Sequence, residues 1–140
     1  MLEEGGEVTG VIPRWLVERE VAHTGLSKLH VVENLHERKS RMAELASDFI
    51  ALPGAAGTLE EMFEQWTWAQ LGIHEKPCGF LNVNGYFDPL KAMTARMVSE
   101  GFMQNSYADM LIFCNDLADL LARFADYRPP PRKWTGGGNP

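Results

Sequence analysis

Apolar residues along the chain gather in short runs, and the stretches between the runs carry helical spacing. The segments Glu7–Ile12, Leu29–Glu33, Phe49–Leu52, Cys78–Val83 and Met110–Cys114 are closed by Pro or Asn, which predicts strands. Between and after them the spacing predicts helices over Leu35–Ser47, Thr58–Gln70, Pro89–Glu100 and Leu117–Tyr127. Asn34, Asp88 and Asp116 are placed to cap three of them. In the helix after Thr58, Leu59, Met62, Phe63, Trp66 and Ala69 fall on one stripe. In the helix after Asn34, Leu35, Met42, Leu45 and Ala46 can share a face, with Arg38 and Arg41 beside it.

Met1–Glu4 reads as the last turn of a helix ended by Gly5-Gly6. A charged, mixed segment runs from Pro13 to a turn at His23-Thr24-Gly25. Strand and helix alternate thereafter. That order predicts an α/β fold: a Rossmann-like, three-layer parallel sheet with right-handed crossovers and helices on both faces. Residues 1–127 are expected to form one domain, and 128–140 a disordered Pro- and Gly-rich tail.

Phe49–Leu52 leads into Pro53-Gly54-Ala55-Ala56-Gly57-Thr58-Leu59-Glu60-Glu61, the most informative stretch. It predicts a strand, a Gly-rich turn and a helix start. Gly54 and Gly57 are expected to permit tight backbone, with Thr58 as N-cap. Backbone N–H groups converging there suit a phosphate. Two readings of Glu61 stay open: Thr58-x-x-Glu61 can be a capping box, or the carboxylate can face the mouth of a site. The loop is neither a dinucleotide fingerprint nor a P-loop, since no Lys follows Gly57.

At 140 residues, 45% hydrophobic and 23% charged, the chain can bury a core. Its net charge of −6 argues against nucleic acid as a partner. Cys78 and Cys114 fall in predicted buried strands without metal-ligand spacing, which suits reduced thiols in a cytoplasmic protein. No apolar stretch is long enough to span a bilayer, so no membrane partner is expected. His36 and His74 read as surface or loop residues, and Trp15, Trp66 and Trp68 as core or interface. Lys76 lies in a loop beside Pro77, with nothing around it to favour a cofactor Schiff base.

Three segments together resemble the LONELY GUY family: Leu35-His36-Glu37-Arg38-Lys39-Ser40-Arg41-Met42, then Phe49 to Glu61, then Thr67-Trp68-Ala69-Gln70-Leu71-Gly72-Ile73-His74. These are cytokinin riboside 5′-monophosphate phosphoribohydrolases, a family long carried under a lysine decarboxylase label. Its signatures are an Arg-Lys pair on a helix and Pro-Gly-Gly-x-Gly-Thr-x-x-Glu. The resemblance extends from about Gly5 to about Tyr127.

The resemblance implies hydrolysis of the N-glycosidic bond of a cytokinin riboside or adenosine 5′-monophosphate, giving free base and ribose 5-phosphate. It implies Arg38 and Glu61 as the catalytic pair. Lys39 would help hold the nucleotide, and Gly54, Ala55, Ala56, Gly57 and Thr58 would surround the phosphate. It implies no metal, no organic cofactor and a homodimer. The chemistry fits these residue types: a carboxylate can stabilise positive charge building on the sugar, and an Arg can offset electron density on the leaving base.

Two departures follow from the comparison with the family pattern. Ala55 stands where the motif has its second glycine, and its Cβ would strain the loop or crowd the ligand if that position needs positive φ or very close approach of the phosphate. The family's first strand and helix, second strand and adjoining Gly-rich loop have no counterpart, so reduced or absent activity is expected of this chain. Two alternatives are a non-catalytic remnant that binds nucleotide or dimerises through the Met62–Trp66 helix, and a related nucleoside monophosphate nucleosidase.

Overall fold

Alternation of side chains along three short strands sets the larger part of the architecture. The computed structural model describes residues 2–17, 19 and 25–132. The chain divides between Ala46 and Ser47 into two compact units. The second holds β3 (Phe49–Ala51), α3 (Ala56–Leu71), β4 (Cys78–Leu81), α4 (Asp88–Ser99), α5 (Asn105–Ala108), β5 (Leu111–Cys114) and α6 (Leu117–Asp126). Its sheet is parallel in the order β3-β4-β5, with Phe49 opposite Cys78 and Phe80 opposite Phe113.

Because successive strand residues point to opposite faces, Phe49, Ala51, Cys78, Phe80, Leu111 and Phe113 form one core. Met62, Trp66 and Ala69 of α3 belong to it, with Phe87, Tyr107 and Met110. Ile50, Leu81, Ile112 and Cys114 turn the other way, against Leu120 and Phe124 of α6. The unit therefore has three layers, and its connections are parallel crossovers as expected. Cys78 and Cys114 are buried free thiols, and burial pushes the Cys78 thiol up to about 12.

The inner face of α6 depends on one glycine. A Cβ built on Gly79 would lie 2.6 Å from Leu120 Cδ1 and 2.7 Å from Phe124 Cε1. Gly79→Ala is expected to destabilise the chain by about 1–3 kcal/mol through overpacking. Urea unfolding measures this; an unchanged midpoint would show that α6 yields freely.

In the first unit, β1 (Thr9–Pro13) pairs in parallel with β2 (Lys28–Val32), and Gly10 faces Leu29. A 3₁₀ turn at Leu2–Glu4 precedes them, ending at Gly5 with φ +78°, so the glycine ends it as expected. Pro13 does not stop the strand but forms its last, fully buried residue. Arg14–Val17 is a short helix, α1, and α2 spans Leu35–Leu45. Both pack on β1 and β2. The expected turn at His23-Thr24 and residues 133–140 of the tail lie outside the described residues.

Helix α2 starts as the sequence predicts. Asn34 Oδ1 accepts from Glu37 N–H at 2.9 Å, and Glu37 Oε2 accepts from Glu33 N–H at 2.9 Å. Its buried residue is Ala43, whereas Leu35, Met42 and Leu45 are exposed.

The loop after α3 adds a pH sensitivity. His74 Nδ1 accepts from Lys76 N–H at 3.2 Å, and its ring lies 5.4 Å from that of Phe49. Burial first, and the Lys76 charge second, lower its pKa below the usual 6.5, against a raising backbone bond from Gln65. The folded chain thus takes up this proton later than the unfolded chain as pH falls. Stability from His74 is full above about pH 6.5 and is lost as pH drops through the lowered value. Urea midpoints should fall from about pH 7.5 to about pH 5.5, and His74→Gln should flatten that slope. Equal slopes in both chains would remove His74 as the cause.

Candidate functional site

The loop between β3 and α3 opens at the carboxyl end of β3, where open parallel sheets present ligand sites. Its geometry differs from the expected one in three respects. First, α3 begins at Ala56, not at Thr58. Ala55 is the N-cap, in extended backbone with φ −95° and ψ −158°, and no side chain caps the helix. Thr58 is therefore the third helical residue. Second, Glu61 lies beyond the first turn, which contains no acidic residue. The capping-box reading of Thr58 and Glu61 fails because the backbone break falls three residues earlier. Third, neither Gly54 nor Gly57 has positive φ. Ala55 likewise sits in a region open to any L-residue, so its Cβ strains nothing.

Other reasons account for the glycines. A Cβ at Gly54 would lie 3.1 Å from Thr58 Cβ and nearer still to Thr58 Oγ1. The Thr58 side chain thus closes over Gly54. A Cβ at Gly57 would meet nothing within 4 Å, so the chain's own packing leaves open space beside this backbone. The first intrahelical bond runs from Leu59 N–H to Ala55 C=O at 3.3 Å. The N–H groups of Ala56, Gly57 and Thr58 therefore belong to the first turn, where no intrahelical carbonyl is available to them. The helix dipole adds partial positive charge at the same point.

Tyr86 closes this loop from the side, a contact that no local pattern foretells. Its hydroxyl donates to Gly54 C=O at 2.9 Å. Tyr86 follows a 3₁₀ turn, Val83–Gly85, in which Asn84 and Gly85 take φ of 52° and 71°. The Asn84-Gly85 pair did predict that turn. Asn82, buried at the end of β4, holds it: Oδ1 accepts from Phe87 N–H at 2.7 Å, and Nδ2 donates to Asp88 Oδ1 at 2.8 Å. Asp88 is thereby the first residue of α4, with Phe87 at the cap position, rather than the N-cap itself.

Arg38 and Lys39 are half-buried residues of α2 in the first unit. Gly54 to Thr58 and Glu61 belong to the second. Within that unit the structure brings Gly54, Ala55, Ala56, Gly57 and Thr58 into one loop and helix start, with Glu61 half-buried one turn on. The expected apolar stripe of α3 splits. Met62 and Trp66 are buried in the unit's own core, and Trp66 Nε1 donates to Tyr107 C=O at 2.9 Å. They cannot form a dimer face. The outer side of α3 instead bears a shallow groove of about 660 Å³ along Ala56, Leu59, Phe63, Thr67 and Trp68. A separate polar cleft of about 790 Å³ lies at the carboxyl ends of β4 and β5, beside Asn82, Lys91, Asn115, Asp116 and Arg123. Its walls come from two stretches far apart in the chain, 82–91 and 113–123, so no single motif marks it. Among the described residues, no group of three or more His, Cys, Asp or Glu is placed to hold a metal ion, and no helix is long and apolar enough to cross a membrane.

The family described as "Possible lysine decarboxylase" matches residues 1–124. The chain belongs to this family. It is 44% identical over 131 residues to a protein of Oryza sativa subsp. japonica named a probable cytokinin riboside 5′-monophosphate phosphoribohydrolase, covering 94% of this chain and 53% of that protein. A Rhodococcoides fascians protein named a cytokinin riboside 5′-monophosphate phosphoribohydrolase is 47% identical over 122 residues, 86% of this chain and 62% of its own length. An Arabidopsis thaliana protein of the same name is 41% identical over 129 residues, 92% of this chain and 61% of its own. The chain thus spans between half and two thirds of these relatives.

Proposed function

We propose that this chain acts in hydrolysis of the N-glycosidic bond of a nucleoside 5′-monophosphate, of the cytokinin riboside or adenosine kind. Water adds at the sugar carbon, the bond to the base nitrogen breaks, and free base and ribose 5-phosphate leave. One observation carries this reading: a long helix, α3, starts at the carboxyl end of a parallel strand with no side-chain cap and with open space beside Gly57. The 5′-phosphate would stand there, accepting from the N–H groups of Ala55, Ala56, Gly57 and Thr58. Glu61 would stabilise positive charge on the ribose or orient the attacking water. Arg38 would hydrogen-bond the departing base, and Lys39 would help hold the nucleotide. The names borne by the relatives support this substrate class.

The same reading places the protein in the cytoplasm, which suits two buried free thiols, and makes it a homodimer. The apolar outer side of α3, with Leu59, Phe63 and Trp68, is the surface such a dimer would cover.

The test is direct. The purified full chain is incubated with adenosine monophosphate and with isopentenyladenosine monophosphate, and free base is resolved by chromatography. Release of adenine or isopentenyladenine supports the reading. Binding of either nucleotide without release would assign a nucleotide-binding module instead.

A further inference from the structure

Peptide groups are planar and trans, so fixing a carbonyl also fixes the N–H of the next residue, which points the opposite way. Gly54 C=O is fixed by the Tyr86 hydroxyl at 2.9 Å. The N–H that turns with it is that of Ala55, the N-cap of α3 and a member of the phosphate loop. Rotation of this peptide turns ψ of Gly54 and φ of Ala55: glycine leaves the first soft, while the Ala55 Cβ bars a full flip to positive φ, so loss of the tether lets the peptide tilt. A tilted peptide would aim the Ala55 N–H away from the point where an anion needs a donor.

Tyr86 is 53% exposed, and its side chain is supported through its neighbour. Its ring meets that of Phe87 edge-on, with centroids 5.0 Å apart and planes at 88°. Phe87 is 2% exposed and packs against Phe80 at 4.7 Å. The turn before it is held by Asn82, whose N–H donates to Cys114 C=O at 2.7 Å. A rigid path therefore runs from the ends of β4 and β5 through Asn82 and Phe87 to Tyr86 and on to Gly54.

We propose that Tyr86 is a positioning residue for the phosphate loop: its hydroxyl holds the Gly54–Ala55 peptide so that Ala55 N–H faces the phosphate monoester of the ligand. This inference rests on the reading of that loop given under Proposed function. It goes beyond it by assigning the loop's orientation to a side chain from another crossover. The half-exposed Tyr86 ring needs no hydroxyl to keep its contact with Phe87, so Tyr86→Phe removes only the tether.

The experiment compares the full chain with Tyr86→Phe. Affinities for adenosine monophosphate, inorganic phosphate and adenosine are measured by calorimetry. The Ala55 amide resonance is followed during phosphate titration, and thermal melting checks the fold. One neutral hydrogen bond corresponds to about a three- to tenfold loss of affinity. That loss is expected for adenosine monophosphate and inorganic phosphate alike, with adenosine binding and the melting temperature unchanged and a smaller Ala55 shift. Where base release is measurable, KM should rise with kcat retained. Equal phosphate affinity in the two chains overturns the inference and leaves the phosphate loop standing. An equal loss for adenosine also overturns it, since that marks a general structural effect. If the unaltered chain binds neither phosphate nor adenosine monophosphate, the loop reading itself fails and takes this inference with it.

Discussion

Arg38→Ala and Glu61→Ala should each abolish measurable release of base from adenosine monophosphate. Loss of a positioned acid–base group costs about 10²–10⁴-fold, and loss of one electrostatic donor about 10²–10³-fold. The two variants differ in kind. Glu61 would act on charge that exists only as the glycosidic bond breaks, so Glu61→Ala should lower kcat and leave phosphate affinity intact. Arg38 would act on the departing base, so Arg38→Ala should likewise spare inorganic phosphate binding. Both positions are half-buried, and both side chains have interactions within the protein, so melting temperatures are measured alongside to separate lost chemistry from lost stability. Chromatographic assay of free base, with calorimetry for phosphate, measures both effects. Either variant retaining full activity would remove that residue from the chemistry.

Phe80→Ala should destabilise the second unit by about 3–5 kcal/mol. Phe80 is 0% exposed at the centre of the middle strand. Its ring stacks on Phe113 at 5.0 Å and 10°, and tilts against Phe87 at 4.7 Å and 60°. Truncation removes both contacts and leaves a cavity that β4, hydrogen-bonded on each side, cannot collapse to fill. A fall of roughly 10–20 °C in melting temperature follows from that loss for a chain of this size. Fluorescence of Trp66, buried in the same core, reports the transition. The effect should also reach the phosphate loop, because Phe87 supports Tyr86. A loss below about 1 kcal/mol would mean that the core repacks around the gap.

Several corrections share one cause. The sequence suggested Thr58 as the N-cap because it is the strongest capping residue of the loop, yet Ala55 takes that place. A cap side chain is one way to satisfy a helix start, but the chain's path out of β3 fixes where helical backbone begins. Asn34 and Asp116 did cap as expected, since their bonds to Glu37 and Asp119 N–H need only three residues of local chain. Likewise, backbone strain at Ala55 would require positive φ. Extended backbone there is open to alanine and glycine alike, and the glycine that is sterically required is Gly54, beneath Thr58.

The sequence by itself determined the order of the five strands and of the longer helices, but not the short helices α1 and α5. It also determined the strands' parallel pairing, the alternation that makes two cores on β3, β4 and β5, and the family. These depend on periodicity and on interactions a few residues long, which a linear chain displays openly. Only the tertiary structure decided where α3 starts, that Ala43 rather than Leu35, Met42 and Leu45 is buried on α2, and that Met62 and Trp66 face inward. It alone brought the Tyr86 hydroxyl to Gly54, thirty-two residues away. Such contacts arise where crossovers return chain ends to one edge of a sheet, and no local pattern encodes them.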